Sequence, residues 1–207
     1  MDIEKTQAPV LDQSGEPQAA AAADLVRQGK AMLLLLDPKG YEEAVPLFRA
    51  AIEAAPTLAP AYAGLSETYS YWGFRRQIGG QESQSLYDMA HDYAHMALRL
   101  APELAEAHRA MAVALRRGRR KSDHERRRQE ITIALDLDPR DAMAWAESWR
   151  ANGYNLQDTA LARALELAPD LCGLRIDLGA VYCEMERYDE AVAELMRALK
   201  INARNSL

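Results

Sequence analysis

The chain has 207 residues, 49% of them hydrophobic and 27% charged, with a formal net charge of −6; that apolar share excludes disorder of the whole chain and suffices for one globular or solenoid unit. Only 2 Phe stand among many Ala, Leu, Arg and Glu, a balance that favours packed helices over sheets, which draw on β-branched and aromatic residues. The longest purely apolar run, Ala31–Leu36, is far too short to cross a hydrocarbon layer of about 30 Å as a helix.

From the start of the chain, residues 1–18 carry Pro9, Gly15, Pro17 and four acidic side chains. They hold too few apolar groups to pack, so they are expected to form a flexible acidic arm ahead of a helical domain spanning 19–207. The opening Met-Asp-Ile-Glu-Lys has neither a basic start nor an apolar stretch before Ala19; no secretory signal is read there, and a cytoplasmic location is expected.

A repeat organises the rest of the chain. Ala51-Ile-Glu-Ala-Ala-Pro56 recurs as Ala97-Leu-Arg-Leu-Ala-Pro102, Ala134-Leu-Asp-Leu-Asp-Pro139 and Ala164-Leu-Glu-Leu-Ala-Pro169, and a fifth copy from Ala198 lacks its Pro. The intervals are 46, 37, 30 and 34 residues, scattered around the period of about 34 that helix-pair repeats show. Each Pro lacks an amide donor and pushes the residue before it out of the α region, so it closes one helix and angles the next. Six residues beyond three of these prolines stands a ring preceded by Ala, at Tyr62, His108 and Trp145, which marks a helix start in phase with the repeat. Between the marks, apolar residues recur at spacings of three and four, as in Val45, Phe48, Ile52 and in Leu178, Val181, Tyr182, the stripe of an amphipathic helix. About five antiparallel helix pairs are predicted, ending with a helix from about Tyr188 to Asn202. Each pair buries its apolar face against the next, and no polar capping helix follows the last, so Leu195, Leu199 and Ile201 are expected to be partly exposed.

Two clusters carry potential chemistry. His91 and His95 sit one helical turn apart with Asp88 on the same side, a spacing that can seed a zinc site; no third ligand follows nearby, so they are weak metal candidates and no metal is assigned. Arg116 to Arg128 holds eight cations against two acids, +6 within a chain of −6. The basic cluster Arg117, Arg119, Arg120, Lys121, Arg126, Arg127 and Arg128 suits phosphates or, better, an acidic protein segment. It has no interleaved aromatic to stack bases, and nucleic acid is disfavoured. Cys172 and Cys183 lie eleven residues apart in one helix, too distant to bridge, and are read as small core or groove residues. No Ser-His-Asp order, glycine-rich phosphate loop or paired-cysteine metal motif appears; no enzyme and no cofactor is expected.

The units resemble the tetratricopeptide repeat family. Leu178-Gly179, Tyr182, Tyr188-Asp-Glu-Ala191 and Ala198 carry the resemblance in the last unit, and Tyr41-Glu-Glu-Ala44, Phe48, Ala51, Pro56, Tyr62, Leu65 and Tyr69 carry it near the start. The phrase Ala-Tyr-Ala-Gly-Leu ending at Leu65 is typical of bacterial members. The middle is degenerate, with Arg127 and Gln157 where the family usually has Ala. The resemblance implies an all-α, right-handed superhelical solenoid whose ligands lie in a concave groove lined by the first helix of each unit. Carried over, the groove positions are Val26, Arg27, Lys30 and Leu33, then Ala63, Glu67, Ser70 and Tyr71, then Arg109, Val113 and Arg116, then Ala146 and Arg150. That set implies a basic groove with apolar spots, suited to an acidic or amphipathic segment of a partner protein because Arg can hold both oxygens of a carboxylate. The Asn residues with which the co-chaperone subfamily grips a chain-terminal carboxylate are missing. The expected function is a protein-binding scaffold, adaptor or assembly factor. The alternatives are an accessory subunit or homo-oligomer docking through the uncapped C-terminal helices, and an RNA-associated protein using the arginine cluster.

Overall fold

The computed structural model describes residues 15–34, 38–117 and 121–205. Within them the chain forms ten α-helices and no strand: α1 Gly15–Leu33, α2 Pro38–Ala54, α3 Ala59–Ile78, α4 Gln84–Leu100, α5 Ala105–Ala114, α6 Lys121–Leu137, α7 Ala142–Ala151, α8 Thr159–Leu167, α9 Cys172–Glu184 and α10 Tyr188–Asn205. A 3-10 turn, Leu115–Arg117, follows α5. Consecutive helices pack as the pairs α1–α2, α3–α4, α5–α6, α7–α8 and α9–α10, and α1, α3, α5 and α7 also touch in succession. The result is the solenoid of five helix pairs that the repeat predicts, with the first helices side by side along one face. None of the described helices is long and apolar enough to cross a membrane.

The prolines act where the sequence places them. Pro56, Pro102, Pro139 and Pro169 each stand two residues beyond the end of a second helix, while α10, without a proline, runs on to Asn205. The rings six residues later tie the turn shut: Tyr62 Oη donates to the Pro56 carbonyl at 2.9 Å, His108 Nε2 lies 2.8 Å from the Pro102 carbonyl, and Trp145 Nε1 donates to the Pro139 carbonyl at 3.0 Å. The fourth turn uses an arginine instead, with Arg175 Nε 2.9 Å from the Pro169 carbonyl. Each bond satisfies a carbonyl that its turn leaves without a helical partner. Asp141 and Asp158 add side-chain caps, accepting from the first amides of α7 and α8, as N-cap aspartates do.

The alanines that open the repeated strings, Ala51, Ala97, Ala134, Ala164 and Ala198, are all buried. Close approach is tightest around Phe48 of α2. Its ring fills a slot between α1 and α3, where a Cβ on Gly29 would lie 2.9 Å from Phe48 Cε1 and one on Gly64 only 2.3 Å away. Gly179 of α9 does the same for Leu195 of α10, whose Cγ would be 2.7 Å from an added Cβ.

Three expectations are corrected. The arm does not reach residue 18, because α1 begins at Gly15; the run Ala19–Ala23 has high helix propensity, and Pro17 is tolerated in a first turn, whose amides lack acceptors anyway. Residues 1–14 lie outside the described part. Ile201 is buried with Cys172 and Ala198, so the exposed apolar residues of α10 are Tyr188, Val192, Leu195, Met196 and Leu199. Cys183 is exposed rather than a core residue, and both cysteines are free.

The slot around Phe48 gives a direct test. Gly64→Ala forces the ring to move and is expected to cost about 1–3 kcal/mol, as overpacking does. Gly79→Ala, where the nearest atom is 3.4 Å from an added Cβ, is expected to stay within about 0.5 kcal/mol. Chemical denaturation of the two variants checks this, and equal stabilities would refute the packing account.

Candidate binding groove

The face formed by the first helices is lined by charged side chains, and nearly every one is paired. At the N-terminal end, Lys30 of α1 donates to both carboxylate oxygens of Glu106 of α5, at 2.6 and 2.7 Å. Arg109 of α5 joins Glu67 of α3, with Nε 2.7 Å from Oε1, and also Asp141 at the start of α7. Further along, Glu147 of α7 is completely buried. It accepts from Arg116 of the 3-10 turn, from Arg127 of α6 at 3.1 Å and from Arg150 one turn along its own helix at 2.9 Å. Arg150 reaches on to Asp177 of α9, with Nε 2.5 Å from Oδ2.

Most of the cations expected to line the groove are thus paired within the fold. Five cations, Lys30, Arg109, Arg116, Arg127 and Arg150, meet five carboxylates, Glu67, Glu106, Asp141, Glu147 and Asp177. The N-terminal cluster has two cations to three acids, and the second has three cations to two acids, so the paired charges are polarised along the groove. A charge this deeply buried persists only if paired. Burial pushes the Glu147 carboxyl up, but the guanidiniums of Arg116, Arg150 and Arg127 outweigh it and hold it at about 2. For Glu67, which faces a single guanidinium, burial wins and its value is raised.

The remaining predicted groove positions divide. Val26, Ala63, Val113 and Ala146 are core residues, because they lie on the sides of their helices that meet the neighbouring helix. Arg27 faces solvent and pairs with Asp24 on its own helix at 2.5 Å. Leu33 and Tyr71 reach the groove, where they line a cavity of about 220 Å³ together with Leu34, Tyr41, Phe74, Ile78, Met143, Leu171, Ile176 and Ala180, with Arg75, Arg116, Arg150 and Asp177 at its charged wall. On α3, Glu67, Tyr71, Phe74 and Ile78 recur at three and four and so share one face. The Arg116 guanidinium lies 5.3 Å from the Tyr71 ring centroid, a cation–π contact. Burial, reinforced by Glu147, pushes the Tyr71 hydroxyl up to about 12. Sequence reasoning missed Phe74, Ile78 and Ile176; the first two continue the Glu67–Tyr71 stripe of α3 and were legible from it.

The arginine-rich segment is likewise engaged where it is described. Arg127 is tied to Glu147, Arg126 lies 3.3 Å from Glu130, and Lys121 lies 3.7 Å from Glu125; Arg128 is exposed. Arg119 and Arg120 fall outside the described residues, as does the side chain of Arg117. Of the described cations of this segment, Arg116 and Arg127 are thus drawn into the fold by Glu147. His91 and His95 meet edge to face with ring centroids 4.5 Å apart, and burial followed by the neighbouring His91 lowers the His95 value. Among the described residues, no group of three or more His, Cys, Asp or Glu gathers to hold a metal ion.

No protein family matches the chain, and no curated protein matches it. Solved structures do. TTC0263, a thermophilic tetratricopeptide-repeat protein of Thermus thermophilus, is similar over 90% of this chain and 97% of its own, at 20% identity and a TM-score of 0.61. MamA aligns over 81% of this chain and 92% of its own at 17% identity with a TM-score of 0.44. YrrB, a tetratricopeptide-repeat protein with an unusual peptide-binding site, aligns over 88% of this chain and 93% of its own at 20% identity with a TM-score of 0.40.

The Glu147 cluster sets a pH dependence. Its folded value of about 2 lies below the ordinary 4.5, so the stabilisation is complete above about pH 4.5 and is lost as pH falls toward 2. At roughly 1.4 kcal/mol per unit, that component is about 3 kcal/mol. Glu147→Gln removes it and leaves Arg116 and Arg127 without a carboxylate while Arg150 keeps Asp177, at a cost on the order of 3–5 kcal/mol near neutrality. Isothermal denaturation of both proteins between pH 7 and 2 is expected to converge toward acid; a constant gap across that range would show that Glu147 does not act by its charge.

Proposed function

We propose, on the basis of its tetratricopeptide-repeat fold, that this protein is a non-enzymatic protein-binding scaffold that seats an amphipathic segment of a partner in the cavity of its inner face. The observation that carries this reading is the apolar cavity itself, set beside a wall of Arg75, Arg116, Arg150 and Asp177. Leu33, Leu34, Phe74, Ile78, Ile176 and Ala180 offer an apolar surface that three separate helices bring together. A concave, largely apolar site with a few fixed polar groups is the usual form of a recognition pocket.

The charge pattern refines the partner. An extended acidic run would gain little, because Arg109, Arg116 and Arg150 already hold internal carboxylates. One carboxylate is a better fit, since Arg75, Arg116 and Arg150 line the wall beside a single acid, Asp177. The segment is therefore one with bulky apolar side chains at helical or extended spacing and a single acidic group next to them. Because the helices and their ion pairs are in place beforehand, only the segment loses conformational freedom on docking.

Selection from a random peptide library on the purified chain tests this. Enriched sequences are expected to combine aromatic or aliphatic anchors with one Asp or Glu. Their binding is expected to fall at least tenfold with Ile78→Glu or Ile176→Glu, both at exposed positions, while helical circular dichroism stays unchanged. Peptides that bind both variants as well as the parent would place recognition elsewhere.

A further inference from the structure

The last helix carries a second surface, separate from the groove. Tyr188, Val192, Leu195, Met196 and Leu199 of α10 are between 37% and 64% exposed. At 3.6 residues per turn they fall within about a third of the helix circumference, beside the face of Ala191, Glu194, Ala198 and Ile201, which is buried against α9. Five large apolar side chains in one stripe form a contiguous patch, unlike single exposed residues, and such patches mark interaction sites.

The charges along this stripe say what covers it. Glu190 is held by Arg187, and Glu194 by Arg175 and Arg197. Asp189 and Lys200, both exposed, have no ion pair among the described residues. They lie on the same flank of the stripe, one near each end. The midpoint between them falls between Glu194 and Leu195, and the midpoint of Tyr188 and Leu199 falls one residue earlier, about 1.5 Å along the axis. A two-fold axis crossing α10 at that point therefore does two things at once. It sets Tyr188 opposite Leu199 and Val192 opposite Leu195 or Met196 of a second helix, and it sets Asp189 opposite Lys200 twice. Parallel pairing would instead put the two copies of this flank on opposite sides of the interface and form neither Asp189–Lys200 pair.

We propose that the chain forms a symmetric dimer through antiparallel packing of α10 against α10 of a second copy, with Asp189 of each chain facing Lys200 of the other. The surface is self-complementary in shape and in charge, as a two-fold interface must be. It leaves the groove on the other side of the last pair accessible, so dimerisation yields a bivalent scaffold.

Sedimentation equilibrium of the full chain over a range of concentrations is the test. The expected result is a reversible association that saturates at two 23.1 kDa chains and that Val192→Glu with Leu199→Glu abolishes without loss of helicity. Asp189→Lys alone is expected to weaken association about tenfold, since it replaces two attractions by two repulsions, and Lys200→Asp alone to do likewise. Mixing these two single variants restores every charge pair, so the mixture is expected to associate as tightly as the parent. A parent that stays monomeric, an association that continues beyond two chains, or a dimer indifferent to Asp189→Lys would each overturn the proposal.

Discussion

A completely buried carboxylate, Glu147, fixes the geometry of the inner face. Its oxygens are shared among guanidiniums from the turn after α5, from α6 and from its own helix, and Arg150 passes the linkage to α9 through Asp177. Glu67, Arg109 and Asp141 join α3, α5 and α7 in the same way. A hydrophobic contact tolerates sliding, whereas a buried ion cluster has few arrangements that leave no charge unpaired. Successive units are therefore held at one spacing and one angle in the region where the repeat sequence is least regular. The cavity beside Arg116 and Arg150 inherits that definition, which is why its apolar wall can act as a shaped site rather than a loose patch.

The regularity outside this cluster comes from the turns. Four second helices end two residues before a proline, and four side chains six residues further on donate to, or face, that proline's carbonyl. The chemistry at that position varies among phenol, imidazole, indole and guanidinium, but each reaches the same distance and presents an N–H or O–H group. Tyr62, His108 and Trp145 were visible in the sequence as a phase mark because all are rings. Arg175 was not, because the shared property is a donor at the right reach rather than aromaticity. His108 has a further role, with Nδ1 2.7 Å from Glu130 of α6, so it links the turn to the second helix of its own pair.

The number and order of helices were legible because they rest on local rules: proline stops, small residues at crossings and a 3.6-residue apolar period. The groove's charge balance was not. Arg109, Arg116 and Arg150 stand out along the chain, but Arg109 and Arg116 find their acids 31 to 42 residues away, and Lys30 finds Glu106 at a separation of 76. No local pattern links such pairs, and a segment reading of +6 counts as free a charge, Arg127, that the fold neutralises. Leu33 and Tyr71 line the cavity, and the stripe of a single helix determines which face such a residue occupies.

The same physics that stiffens the middle leaves the C-terminal pair different. In a solenoid each unit draws much of its stability from its neighbours. The α9–α10 pair is joined to the rest by Leu174 and Leu178 packing with Trp149 and Leu161 and by the Arg150–Asp177 ion pair, and within itself by Gly179 against Leu195 and by a small cluster of Cys172, Ala198 and Ile201. Leu195 thus has two roles, since one side of it fills the space that Gly179 leaves and the other joins the exposed stripe. Covering that stripe would bury apolar area and at the same time press Leu195 into the α9 contact, so occupancy of the outer surface and order in the last pair are coupled. Ile176, Asp177 and Ala180 of α9 also line the groove cavity, so the pair that carries the outer stripe also forms one wall of the proposed binding site.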